Sequence, residues 1–179
     1  MVKDIESVLI TEQEVKDMVS RLADRINEDY KDKFPVFIGV LKGSFVFMAD
    51  LIRQIKICCE IDFMAVSSYG NKSVTTGAVK IYKDLEKDIE NRDVIIVEDI
   101  LDSGLTLNYL MGYLRSRNPS SLRLCTLLDK PARRMIPITA DYKGFEIPDA
   151  FVVGYGLDYQ EKYRNLPYIG ILKPEIYTD

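Results

Sequence analysis

Histidine and tryptophan are both absent from the 179 residues. Without histidine there is no Ser-His-Asp or Cys-His catalysis, no HExxH zinc hydrolysis and no imidazole-based metal cluster. Any metal must then sit on oxygen ligands or thiolates. Cysteine is scarce too. Cys58, Cys59 and Cys125 form no CxxC pair and no zinc spacing, and their apolar, strand-like neighbours make small buried hydrophobes of them. An odd number of cysteines without a secretion signal fits a reducing compartment, so the cytoplasm is expected. The N-terminus, MVKDIESVLITEQE, has no apolar stretch behind a basic region and is expected to be neither signal peptide nor anchor. No run approaches the roughly 20 apolar residues of a bilayer span, so no membrane partner is expected. Repeats, low-complexity tracts and Pro/Gly/Ser linkers are also missing, which predicts one domain over residues 1–179.

What is present is an ordinary globular balance, 47% hydrophobic and 29% charged, apolar enough to exclude a disordered chain. The formal net charge of −4 argues against a nucleic-acid partner. Residues 11 to 30 read as an amphipathic helix, with Thr11 and Glu14 as a capping box and Val15, Met18, Val19, Leu22 and Ile26 on one face. A strand from Pro35 to Val40 leads into a tight Leu41-Lys42-Gly43 turn. Ser44 is placed to cap a second helix that carries Phe47, Met48, Leu51 and Ile55. Further strands are predicted at Cys58–Ser67, Val79–Leu85, Asp93–Val97, Leu122–Leu128, Phe151–Val153 and Tyr168–Leu172. Another helix carries Leu107, Leu110, Met111 and Leu114. Apolar strands alternating with helices predict an α/β fold, a mainly parallel twisted sheet flanked by helices. Ligands bind such sheets beyond the carboxyl ends of the strands, where the polar residues of interest fall.

The strongest chemical signal is Val94-Ile95-Ile96-Val97-Glu98-Asp99-Ile100-Leu101-Asp102-Ser103-Gly104-Leu105-Thr106. An apolar strand delivers two adjacent carboxylates and then a third. A hydroxyl, a glycine and a second hydroxyl follow at a helix start. Helix N-terminal amides beside a glycine make an anion nest, so residues 102–106 are predicted to hold a phosphate monoester. Glu98 and Asp99 would repel that phosphate unless they bind sugar hydroxyls or a metal ion. A sugar phosphate with vicinal hydroxyls, chelated by Mg²⁺, satisfies both halves. The alternative, an acidic strand end before an ordinary capped helix, explains less of the string. No GxxxxGK[ST] is present, and Gly154-Tyr155-Gly156 lacks the third glycine of a dinucleotide fingerprint.

This string resembles the phosphoribosyl diphosphate (PRPP) motif of the type I phosphoribosyltransferases. Further segments are similar to those of hypoxanthine-guanine phosphoribosyltransferases, in order over most of residues 10 to 172. They are Leu41-Lys42-Gly43-Ser44, Ser68-Tyr69-Gly70, Leu128-Asp129-Lys130, and Phe151-Val152-Val153-Gly154-Tyr155-Gly156-Leu157-Asp158-Tyr159 with Arg164 beyond. The resemblance implies the type I fold, with a small hood built from the N-terminal segment and the C-terminal third. It implies transfer of ribose 5-phosphate from PRPP to N9 of hypoxanthine or guanine, giving IMP or GMP and pyrophosphate. Glu98 and Asp99 would engage the ribose hydroxyls and Mg²⁺, Asp158 a second Mg²⁺, and Asp102 would act as general base at purine N7. Ser103, Gly104, Leu105 and Thr106 would hold the 5-phosphate. Lys130 would donate to purine O6, Phe151 stack on the base and Val152 offer backbone groups to it. Arg164 and the Leu41, Lys42 and Gly43 loop would bind pyrophosphate, with a Leu41–Lys42 peptide that can be cis. Ser68 and Tyr69 would belong to a lid over residues 68–80. A homodimer or homotetramer is implied as well, with Met48 and Tyr113 either at an interface or in the core.

Two departures stand out. Ala150 replaces the lysine that longer members often carry before Phe151, and residues 1 to 9 match no motif. Two other readings compete: a xanthine-preferring enzyme with the same chemistry, and a PRPP-sensing regulator that binds nucleic acid. Such regulators often lose the carboxylate at the base position and need a basic face. This chain keeps Asp102 and is net acidic.

Overall fold

The computed structural model describes residues 1–68 and 79–178; Tyr69 and most of the expected lid lie outside the described residues. The elements follow in order: β1 (Ile5–Ile10), α1 (Glu12–Asp29), β2 (Val36–Leu41), α2 (Phe45–Ile52), β3 (Glu60–Ser68), β4 (Val79–Lys83), β5 (Asp93–Leu101), α3 (Leu105–Arg115), β6 (Ser121–Asp129), β7 (Tyr142–Glu146), β8 (Val152–Val153), β9 (Ile169–Leu172) and α4 (Pro174–Tyr177). Among the described residues the main sheet has the order β4-β3-β2-β5-β6-β7. It is parallel except for β4, which runs antiparallel to β3. A second, antiparallel sheet joins β1 to β9 and β9 to β8, bringing the two ends of the chain together.

The period of two along β5 divides its side chains between two cores. Ile95 and Val97 pack with Val15, Val19, Leu22 and Ile26 of α1 and Phe47 and Leu51 of α2. Val94 and Ile96 pack with Leu107, Leu110, Met111 and Leu114 of α3. The capping box of α1 is as predicted: the Glu14 amide donates to Thr11 Oγ1 at 3.3 Å and the Thr11 amide to Glu14 Oε2 at 2.8 Å.

Several expectations change. Ser44 does not cap α2 with its side chain. It is fully buried, and its hydroxyl turns back to donate to the Val40 carbonyl at 2.7 Å. Cys58 is exposed and Cys59 half-buried because β3 begins only at Glu60, whereas Cys125 lies in the core. β5 continues past Val97 to Leu101 because β6 keeps pairing with it as far as Leu101↔Asp129. β1 and β7 were not predicted, being short edge segments in which exposed and apolar residues do not alternate cleanly. Met48 is core, and Tyr113 is partly buried with its hydroxyl donating to Asp84, so neither is an exposed contact. Among the described residues no helix is long and apolar enough to cross a membrane.

Candidate active site

β2 and β5 are neighbours, yet the chain leaves β2 for β3 on one side and leaves β5 for β6 on the other. Loops that part in opposite directions at such a switch point open a crevice beyond the strand ends. The crevice here is a cleft of 330 Å³. Val40, Leu41, Val66 and Ser67 line one wall, and Glu98, Ile100, Asp102, Ser103, Gly104, Thr106 and Leu107 the other.

Glu98, Ile100 and Asp102 alternate along the chain and face the cleft together. Asp99 does not line the cleft. It is buried against the main chain of Gly43, and its Oδ1 accepts the Ile100 amide at 2.8 Å. Asp99 thus braces the Gly43 loop while its carboxyl still meets that of Glu98, and of the two only Glu98 lines the cleft. Burial and the Asp99 charge push the Glu98 carboxyl well above the usual carboxylate range. Burial also raises Asp99, against the pull of hydrogen bonds and the Arg164 guanidinium. Asp102 keeps Oδ1 buried and without a hydrogen-bond partner, an acceptor left unpaired by the protein.

Gly104 precedes α3 at φ 83°, a left-handed conformation, and a β-carbon there would meet Ile138 Cγ2 at 2.6 Å. Glycine is therefore required at this turn. The Leu105 amide donates to Ser103 Oγ at 3.4 Å, and the remaining first-turn amides of α3 have no helical carbonyl to pair with. With the Ser103 and Thr106 side chains on the cleft, this is an anion cradle.

A chain of contacts ties this wall to the loop after β8. The Leu41–Lys42 peptide is cis, and Lys42 Nζ pairs with Glu161 at 3.2 Å. The Gly156 main chain sits on the Gly43 carbonyl, and Arg164 Nη1 donates to the Gly156 carbonyl at 2.8 Å. Arg164 Nη2 pairs with Asp158 at 2.8 Å, while its Nε is buried without a partner. Asp158 is thus engaged with Arg164 and lies off the cleft lining of Glu98 and Asp102. Lys130 is buried at the end of β6, its Nζ donating to the Ala150 carbonyl at 2.9 Å. Position 150 therefore contributes through its backbone. Phe151, partly exposed, stacks on Tyr177 at 4.7 Å and meets the edge of Tyr159 at 5.5 Å. Val152 begins β8 and is buried. Ser68 ends β3.

Comparison with known proteins decides the family. A model described as "Phosphoribosyl transferase domain" matches residues 7–160. The chain belongs to the phosphoribosyl transferase family. It is 58% identical over 177 residues to the hypoxanthine-guanine phosphoribosyltransferase of Bacillus subtilis (strain 168), covering 99% of this chain and 98% of that protein. It is similar to the crystal structure of a hypoxanthine phosphoribosyltransferase from Staphylococcus aureus, with 52% identity, a TM-score of 0.97, and coverage of 100% of this chain and 97% of that one. A hypoxanthine-guanine phosphoribosyltransferase from Bacillus anthracis aligns at 52% identity with a TM-score of 0.91, covering 94% of this chain and 99% of that chain.

Two residues of this phosphoribosyl transferase escaped the sequence reading. Arg134 lies partly buried beneath the loop that carries Asp102 and donates to two of its carbonyls; the only sequence signal is an Arg133-Arg134 pair after a strand. Tyr177 backs Phe151 from the far end of the chain, a contact that no local pattern announces.

Proposed function

We propose that the chain is a hypoxanthine-guanine phosphoribosyltransferase of purine salvage, which moves ribose 5-phosphate from PRPP to N9 of hypoxanthine or guanine. One relationship carries this reading. The Lys130 amide donates to the Leu101 carbonyl at 3.0 Å, so the residue before Asp102 is bonded directly to the strand end that presents the buried lysine. A 6-oxopurine offers an acceptor at O6 beside a proton at N7. A donor-only ammonium and a carboxylate with an open acceptor, mounted on adjacent strands, match that edge. An amino group at the 6-position would leave Lys130 facing another donor, so discrimination against adenine of about 10⁴ is expected.

The remaining roles follow from placement. Amides of residues 103–107 and the Ser103 and Thr106 hydroxyls hold the 5-phosphate, and Glu98 reaches the ribose hydroxyls from the cleft wall. Asp99 holds the Gly43 loop, whose amides, with Arg164, take the pyrophosphate. As positive charge builds on the sugar, Glu98 stabilises it while Asp102 accepts the purine N7 proton. Phe151 supplies the stacking face and Val152 its backbone groups.

Mg²⁺ fits this donor set in one manner. Among the described residues no three carboxylate or thiolate donors converge on a common point. The ion would be held by one or two carboxylates, Glu98 and Asp99 on one side and Asp158 on another, together with water and substrate oxygens, as Mg²⁺ prefers. Bound there, it would neutralise charge on the departing pyrophosphate.

The enzyme is proposed to work in the cytoplasm as a homodimer or homotetramer. A depression in which exposed Phe45 and Pro167 lie beside Val46, rimmed by Glu12, Lys16 and Asp50, supports self-association. Pyrophosphate release with PRPP, Mg²⁺ and each of hypoxanthine, guanine, xanthine and adenine tests the reading. Turnover with the first two is expected. Turnover with adenine alone, or with no base, would overturn it.

A further inference from the structure

We infer that Arg134 is a positioning residue that sets the PRPP cradle and joins it to the purine-recognising strand end; this rests on the function proposed above. Arg134 is largely buried and donates in four directions. Its Nε bonds to the Asp102 carbonyl at 2.9 Å, Nη2 to the Leu101 carbonyl at 3.0 Å, Nη1 to the Ile138 carbonyl at 2.5 Å, and Nη2 also pairs with Asp129. Next to it, the Met135 amide donates to the Ser103 carbonyl at 2.9 Å. Three successive carbonyls, of Leu101, Asp102 and Ser103, are thus turned toward the segment after β6.

A trans peptide is planar, with its N–H opposite its C=O. Fixing those three carbonyls therefore aims the amides of Asp102, Ser103 and Gly104 the other way, toward the cleft these residues line. An anion nest needs successive N–H groups to converge, and here the convergence is imposed from behind by one guanidinium and one amide. The stem of Arg134 also supports the turn, since its Cδ lies 3.2 Å from the place a Gly104 β-carbon would take. The Lys130 amide on the Leu101 carbonyl extends the arrangement to the base side. No other side chain spans these acceptors: a lysine is a single point of charge and cannot reach carbonyls on two sides at once.

Arg134→Lys keeps the charge and loses the span. Steady-state kinetics for PRPP and hypoxanthine, read beside a thermal melt, test the inference. The variant is expected to melt within a few degrees of the wild type, to raise the KM for PRPP about tenfold, and to lower kcat by about 10²-fold, the loss that a misplacement of roughly 1 Å brings. Arg134→Ala with added guanidinium should regain part of that loss. A fall in kcat that merely tracks the folded fraction, at unchanged KM, marks a structural role and overturns the inference, as does a folded Arg134→Lys enzyme with wild-type kinetics. If Arg134→Lys fails to fold, Asp129→Asn decides, because it loosens the guanidinium and leaves its carbonyl partners. A raised KM for PRPP supports the inference and wild-type kinetics refute it. An inactive wild type would instead count against the proposed function.

Discussion

A β-carbon on Gly43 would lie 1.6 Å from Oδ2 of Asp99, far inside van der Waals contact. The loop after β2 can close on the end of β5 only because this residue has no side chain. Both partners are fixed: Asp99 sits on a central strand, and the Gly43 carbonyl is covered by Gly156. Gly43→Ala must displace the loop or the carboxylate. Catalytic efficiency with PRPP should fall about 10²-fold, while the KM for hypoxanthine changes little. Initial-rate measurements with each substrate varied would check this.

Asp102→Asn keeps the shape of the side chain and removes the proton acceptor. Because Oδ1 has no partner in the protein, no internal hydrogen bond is broken, and the melting temperature should stay near that of the wild type. The rate of IMP formation should fall roughly 10²- to 10⁴-fold at nearly constant KM. Single-turnover product analysis would separate this loss from slow product release.

Glu98→Gln should stabilise the protein while disabling it. Burial and Asp99 raise the folded-state carboxyl above its unfolded value, so stability declines as pH rises from the unfolded value toward the folded one. A neutral amide feels no such decline. The variant should melt about 2–4 °C above the wild type at pH 8, a gain of roughly 1 kcal/mol in a chain of this size. The difference should shrink toward about pH 4, where the unfolded carboxyl also holds its proton. Melting curves across that range would reveal the convergence.

Tyr177→Ala removes the ring that backs Phe151. An aromatic pair contributes about 0.5–1.5 kcal/mol beyond buried area, so the KM for the purine should rise roughly 2- to 12-fold with the KM for PRPP unchanged. Titration of enzyme with GMP, followed by calorimetry, gives an independent reading of the same weakening.

Much of this site was legible because its parts are close in sequence. Glu98 to Thr106 run from strand to turn to helix, and the apolar stretch before them identifies the strand unaided. The same local reading could not separate Glu98 from Asp99. That depends on β5 continuing to Leu101, so the alternation of faces persists past the apolar run. It could not find Arg134 either, whose partners include the carbonyls of residues 101 and 102, acceptors that every residue possesses. Ser44 was misread because a buried hydroxyl reaches the preceding turn as readily as it caps the following one. β1 was missed because its apolar residues find their partner only at Ile169–Leu172.

β5 is bonded along one edge to β2 from Val94 to Val97 and along the other to β6 as far as Leu101, and Glu98, Asp99 and Asp102 lie at or just past its end. Fraying begins at margins, and from Val94 to Val97 this strand is bonded on both. Its amides should be among the slowest to exchange with deuterated solvent, and catalytic competence should persist up to the denaturant concentration at which the whole sheet dissolves.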